Sequence, residues 1–131
     1  MRTGLTQMFL SIIALVAIMN TDVAFGSDKH FSPAEAWSKI KAGALIVDVR
    51  TPEEYSKGHM QGALNIPHDK ISGHAAELGK SKDREIVLYC KAGRRAGTAL
   101  ETLKGLGFTH LTNAGGYEGL LEASKATIKS K

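Results

Sequence analysis

EIVLYCKAGRRA, residues 85–96, joins an apolar run to a short loop that carries one cysteine and three cations. The length and β-branched content of Glu85–Tyr89 predict a strand buried on both faces. Beyond the loop, apolar residues recur on one side of a helix predicted from Arg94 to Leu106 and ended by Gly107. A strand that passes through a loop into a helix is typical of α/β folds.

The flanking segments repeat this alternation of strands and helices. ALIVDV, residues 44–49, is a second buried strand by the same criteria, and shorter strands are predicted at 63–66 and 109–112. Ser32 is a candidate N-cap, with Pro33 at the first helical position and Glu35 completing a capping box. Helices are predicted at about 32–41, 51–58, 69–78 and 115–125. We therefore expect an α/β fold with three layers, α/β/α, and a mainly parallel central sheet of four to five strands.

The cysteine loop is the candidate site for chemistry. Cys90 follows the predicted strand at the sheet edge where open parallel sheets bind ligands. Backbone N–H groups ahead of a helix form an anion site, and Gly93 allows the loop to curl around a small group. Lys91, Arg94 and Arg95 are close in sequence, and such cations favour the reactive thiolate. Cys90 is therefore interpreted as a nucleophile rather than as a small buried hydrophobe.

Three motifs resemble the rhodanese family in order and spacing. They are LIVDVR at 45–50 with EEY at 53–55 and GHMQGALNIP at 58–67, then YCKAGRRA at 89–96, and NAGGY at 113–117. The resemblance covers about residues 32–125. Among the subgroups, the chain is most similar to the small single-domain periplasmic rhodaneses of the phage-shock type. The resemblance implies the three-layer rhodanese fold and a sulfurtransferase activity.

The family's chemistry, carried over by position, makes Cys90 the nucleophile that takes the outer sulfur of thiosulfate or a similar donor. The resulting persulfide would rest among loop N–H groups contributed by Lys91, Ala92, Gly93, Arg94 and Arg95. A thiophilic acceptor, cyanide or a thiol, would then remove the sulfur. The expected partners are thus a small anionic donor and a thiophilic acceptor. This route needs no second cysteine, no metal and no cofactor.

The other motif residues are expected to be structural. Asp48 and Arg50 are interpreted as loop support, with Asp48 predicted to pair with Arg95. His59 is expected to be a hydrogen-bonded turn residue rather than a general base. Trp37 is expected to pack in the core from the first helix. The five scattered histidines do not indicate a metal site.

Two other classes of function remain open. Phosphatases and arsenate reductases on the same fold use a cysteine, five residues and then an arginine. Five residues after Cys90 end at Arg95 and the next position is Ala96, so the arginine comes one place too early. The shorter loop suits one sulfur atom better than a tetrahedral oxyanion. A sulfide or redox sensor, or a sulfur-carrier module, is the alternative without turnover.

The chain's 131 residues suit one domain, and a hydrophobic content of 43% suits a globular core. The formal net charge is +4, but no run of Lys and Arg indicates a nucleic-acid partner. A single cysteine excludes an internal disulfide. As a separate expectation, we predict that the protein is a monomer.

The first 26 residues have the pattern of a secretory signal peptide. Arg2 is followed by an apolar run from Met8 to Met19, far shorter than the roughly 20 residues of a membrane-spanning helix. Ala24-Phe25-Gly26 then places small residues at the positions read by signal peptidase. We predict cleavage before Ser27, leaving residues 27–131 as an exported, periplasmic rhodanese domain without a stable membrane anchor.

Overall fold

The computed structural model describes residues 32–129, in which strands alternate with helices as the sequence predicts. Their bounds, in chain order, are α1 Pro33–Lys41, β1 Leu45–Asp48, α2 Pro52–Lys57, β2 Leu64–Asn65, a 3₁₀ helix Ile71–Leu78, β3 Ile86–Cys90, α3 Arg94–Gly105, β4 Leu111–Gly116 and α4 Tyr117–Lys129.

The four strands form one parallel sheet in the order β2-β1-β3-β4. In the register, Asp48 lies beside Tyr89, and Cys90 lies beside Gly116. The carboxyl ends of β1, β3 and β4 therefore meet at one edge of the sheet. The predicted α/β class and parallel sheet are confirmed, with four strands.

The sheet separates two apolar layers because successive side chains of a strand point to opposite faces. Leu88 and Cys90 of β3 belong to the layer that includes Ala96, Ala99 and Leu103 of α3. Val87 and Tyr89 belong to the layer that includes Ala36 of α1 and Leu120 of α4. This arrangement confirms the three-layer fold, and it puts the cysteine on the α3 face of the sheet.

The first two helices begin at polar caps. Ser32 accepts a hydrogen bond from the Glu35 N–H at 3.3 Å, and Pro33 is the first residue of α1. Thr51 and Glu54 form a complete capping box at the start of α2. The box restrains the Glu54 carboxylate, which becomes important at the site.

The end of the chain differs from the prediction. β4 runs from Leu111 to Gly116 instead of 109–112, and the last helix starts at Tyr117 instead of Gly115. Pairing with β3 continues to Gly116 after a register shift between Leu88 and Cys90, so tertiary pairing overrides the glycine signal. The helix predicted at 69–78 is a 3₁₀ helix over Ile71–Leu78, with non-helical backbone at His74.

The predicted signal peptide, residues 1–26, lies outside the described residues. Between residues 32 and 129, no helix has both the length and the apolar character needed to cross a membrane.

Candidate active site

The Cys90 side chain lies where β3 meets α3, and it is 1% exposed. The Gly93 N–H donates a hydrogen bond to Cys90 Sγ at 2.9 Å, and the Ala96 N–H donates to the same sulfur at 3.4 Å. Gly93 has a φ of 97°, a left-handed conformation that favours glycine. The Ala96 N–H is one of the unpaired donors in the first turn of a helix. Both donors, and the positive end of the α3 dipole, favour negative charge on the sulfur.

The five predicted binding residues have different environments. Gly93 is buried and contacts the sulfur, whereas Lys91, Ala92 and Arg94 are exposed. Within the described residues, neither Lys91 nor Arg94 has an ion-pair partner, so both charges are available to an anion. Ala96, whose N–H contacts the sulfur, was not among the predicted binding residues. Its place in the first turn of the predicted helix could have identified Ala96 as an N–H donor.

Arg95 forms an ion pair with Glu54 and not with Asp48. Its two terminal nitrogens donate to the Glu54 carboxylate at 2.8 and 3.1 Å. The predicted Asp48–Arg95 pair is therefore wrong. Asp48 bonds Tyr89 on the opposite face of the sheet, while Arg95 belongs to α3 on the Cys90 face. Arg95 ties the start of α3 to α2 instead.

This ion pair has a pH-dependent contribution to stability. Hydrogen bonding from Arg95 lowers the pKa of Glu54 from 4.5 to about 2. Because the pKa is lower in the folded state, the contribution is full above the unfolded pKa and is lost as the pH falls through the folded value. We expect the free energy of unfolding of Glu54→Gln to be below that of wild type at pH 7, with the difference shrinking between about pH 5 and pH 2. Urea unfolding across this range measures it, and a constant difference would contradict the pairing.

Asp48 and Arg50 form a second, buried pair behind the site. Both residues are buried. Arg50 Nη2 donates to Asp48 Oδ2 at 2.6 Å and to the Gly58 carbonyl at 2.7 Å. The Tyr89 hydroxyl donates to Asp48 Oδ2 at 2.8 Å and accepts from the Met60 N–H. The network joins β1, β3 and the segment after α2.

Charge and burial in this network shift two pKa values. The hydrogen bond with Asp48 raises the pKa of Arg50. Burial is the main cause that raises the pKa of Tyr89. The Arg50 guanidinium also lies 4.7 Å from the centre of the Tyr117 ring, a cation–π contact. These groups hold the carboxyl ends of β1 and β3 together, and their support of the cysteine loop stays a prediction.

Two residues of β4 contact the cysteine loop, although sequence reasoning gave them no role. Asn113 Nδ2 donates to the Gly93 carbonyl at 2.9 Å. A methyl group built on Gly116 would overlap the carbonyl oxygen of Lys91, so only glycine allows the loop this close. The sequence signal that could have indicated these two positions is Asn113 followed by Gly115 and Gly116, directly after the last predicted strand.

The remaining predicted positions have structural contacts. His59 stacks on Tyr55 with the ring centres 3.6 Å apart, and its Nδ1 lies 2.8 Å from the Tyr55 carbonyl oxygen, so it is hydrogen-bonded as predicted. Trp37 packs against the layer formed by α1 and α4. In the part of the chain that the structure describes, no group of three His, Cys, Asp or Glu side chains could hold a metal ion.

Residues 32–123 match the rhodanese-like domain family. The chain belongs to this family. The thiosulfate sulfurtransferase PspE of Escherichia coli is 42% identical over 74 residues, which are 56% of this chain and 71% of that protein. Human thiosulfate:glutathione sulfurtransferase is 34% identical over 92 residues, 60% of this chain and 80% of that protein. A solved Escherichia coli structure described as a rhodanese with anions superposes with a TM-score of 0.56 and 41% identity, covering 58% of this chain and 89% of that one.

Proposed function

We propose that this rhodanese-like protein is a thiosulfate sulfurtransferase that carries sulfur as a persulfide on Cys90. The observation that supports it best is the convergence of the Gly93 and Ala96 N–H groups on one buried cysteine sulfur. Two of its relatives are named for sulfur transfer from thiosulfate. The exposed cations Lys91 and Arg94 suit a small anionic donor.

The reaction needs two displacements at sulfur. The Cys90 thiolate attacks the outer sulfur of thiosulfate, a new S–S bond forms, and the original S–S bond breaks as sulfite leaves with its electron pair. Cyanide or a thiolate then attacks the outer sulfur of the persulfide, and the Cys90 thiolate is regenerated. Loop N–H groups stabilise the negative sulfur at each stage, and no metal or cofactor is required.

The phosphatase alternative has less support from the same loop. Arg95 comes one position too early in the loop, and its guanidinium is engaged by Glu54. That arginine is thus not available to a tetrahedral oxyanion. A sulfur carrier would use the same persulfide but would not turn over with a small acceptor.

Mass spectrometry of the intact protein after incubation with thiosulfate tests the persulfide, and a thiosulfate:cyanide assay tests turnover. We expect a gain of one sulfur atom on Cys90 and steady formation of thiocyanate. A mass gain without turnover would favour the carrier alternative. No mass gain, together with hydrolysis of an aryl phosphate, would overturn the proposal.

We expect Lys91→Gln and Arg94→Gln to raise the KM for thiosulfate by roughly threefold to tenfold, and to weaken its dependence on salt, because exposed cations attract the donor. The kcat should change little. Steady-state kinetics at two ionic strengths measures both effects. Lys104→Gln, at the far end of α3, is the matched control and should behave as wild type. Unchanged KM in both loop variants would show that these cations do not bind the donor.

We further propose that residues 1–26 direct export and are removed, so that the working protein starts at Ser27. The support is the short apolar run followed by small residues. N-terminal sequencing of protein purified from its own cells should begin at Ser27. A cytoplasmic protein that still begins at Met1 would contradict the proposal.

A further inference from the structure

Asn113 lies on β4, the strand next to the one that ends in Cys90. Its side chain is held at both ends. Oδ1 accepts a hydrogen bond from the Gly115 N–H at 2.9 Å, and Nδ2 donates to the Gly93 carbonyl at 2.9 Å. The first bond closes an Asx turn that fixes the side chain on its own strand. The second bond reaches across to the cysteine loop.

Gly93 is the residue of the loop that needs such a restraint. Its left-handed backbone conformation favours glycine. Glycine is also the residue with the most freedom to adopt other backbone conformations. The Gly93 N–H donates to Cys90 Sγ, while the Gly93 carbonyl accepts from the Gly97 N–H at 3.0 Å and from Asn113. The two groups flank the same Cα, so losing the Asn113 bond removes a restraint on the backbone that carries the N–H bonded to the sulfur.

Gly116 provides a second point of contact between the same strand and the same loop. Its missing side chain lets the Lys91 carbonyl lie against β4. The loop residues on either side of Ala92 are therefore both restrained by β4, one through a close backbone approach and the other through the Asn113 amide. The end of β4 thus forms a platform for the loop.

We infer that Asn113 is a positioning residue for sulfur transfer, because it holds Gly93 in the orientation that aims its N–H at the Cys90 sulfur. The role rests on the proposed function, since it matters for catalysis only if that sulfur is the reacting atom. Asn113 acts through Gly93 and does not itself contact the sulfur in the structure.

The test measures the rate of Cys90 alkylation by iodoacetamide across a range of pH, in wild type and in Asn113→Ser. Serine can keep the turn to the Gly115 N–H but is too short to reach the Gly93 carbonyl. In Asn113→Ser we expect the pH profile of Cys90 alkylation to move to higher pH, with the rate at pH 7 falling by a factor of about 3 to 10. The reason is that the hydrogen bond from the Gly93 N–H to the charged sulfur is misaligned. The rate of persulfide formation from thiosulfate should fall with it.

Thr112→Val is the matched control on the same strand. The Thr112 hydroxyl accepts a hydrogen bond from Lys39 Nζ at the surface, so its loss perturbs β4 without touching the cysteine loop. Its alkylation profile should match that of wild type. If Asn113→Ser fails to fold, Asn113→Asp keeps the turn acceptor and removes the donor, with Thr112→Asp as its charge control.

An Asn113→Ser or Asn113→Asp profile no different from its control would overturn the positioning role. Because alkylation does not depend on sulfur transfer, failure of the proposed function gives a separate result. In that case the profile would still shift, but wild-type protein would gain no sulfur from thiosulfate.

Discussion

Replacing Cys90 by serine is expected to abolish sulfur transfer and to leave the fold in place. Serine is close to cysteine in size, and its hydroxyl can accept the same hydrogen bonds from the Gly93 and Ala96 N–H groups. At neutral pH, however, the hydroxyl is a much weaker nucleophile than a thiolate and cannot form a persulfide. We expect thiocyanate formation to fall by at least about a thousandfold, as for loss of a covalent nucleophile.

The thiosulfate:cyanide assay measures this loss, and circular dichroism checks the fold. Thr98→Cys in the Cys90→Ser background is the control for position. Thr98 is exposed and lies about one turn after the start of α3 at Arg94. The new thiol therefore lies outside the ring of loop N–H groups. Activity should not return in this double variant. Turnover by Cys90→Ser at a substantial fraction of wild type would eliminate the persulfide mechanism.

The two central strands of the sheet could be predicted from the sequence because each is marked by a run of consecutive apolar residues. β1 and β3 are runs of mostly buried residues, and the ends of each lie within one residue of its predicted range. The cysteine loop was equally accessible, since a strand, a glycine and a helix start are consecutive in the chain. Such features depend on neighbours in sequence and not on which face of the sheet a side chain occupies.

The partner of Arg95 could not be found in the same way. Asp48 and Glu54 are both acidic and both precede the loop, so charge alone does not separate them. The choice depends on strand parity, which directs Asp48 toward Tyr89 and away from α3. The capping box at Thr51 then leaves the Glu54 carboxylate within reach of Arg95. This is three-dimensional information that spacing does not contain.

Asn113 was missed for a related reason. The last strand was predicted to end at Thr112, which would have put Asn113 in a turn before a helix. In the structure β4 continues beside β3 to Gly116, and Asn113 comes to lie against Gly93. The contact of Asn113 with the site thus depends on where β4 ends. That boundary depends on pairing with β3, which lies about 20 residues earlier in the chain.

The two arginine–carboxylate pairs differ mainly in burial. Arg50 and Asp48 have side chains 8% and 0% exposed, whereas Arg95 and Glu54 are 28% and 30% exposed. Breaking a buried pair leaves an uncompensated charge in a medium that solvates it poorly. Breaking a partly exposed pair leaves a charge that water can reach.

We therefore expect Arg50→Met to lower the free energy of unfolding by about 3 to 5 kcal/mol and the Tm by at least about 12 °C. Methionine keeps much of the side-chain volume but leaves Asp48 with only the Tyr89 hydroxyl and the Arg50 backbone N–H as hydrogen-bond donors. It also removes the cation–π contact with Tyr117. Thermal melting and urea unfolding at pH 7 measure the loss.

Arg95→Met is the matched variant, with the same replacement in a more exposed pair. We expect it to cost about 1 kcal/mol or less, since Glu54 remains hydrogen-bonded to Thr51 and open to water. Asp48→Asn added to Arg50→Met should recover part of the stability, because it removes the stranded charge while keeping a side chain that Tyr89 can bond. If Arg95→Met proved the more damaging of the two, the loop would depend on the α2–α3 ion pair more than on the buried network, and the support assigned to Asp48 and Arg50 would be wrong.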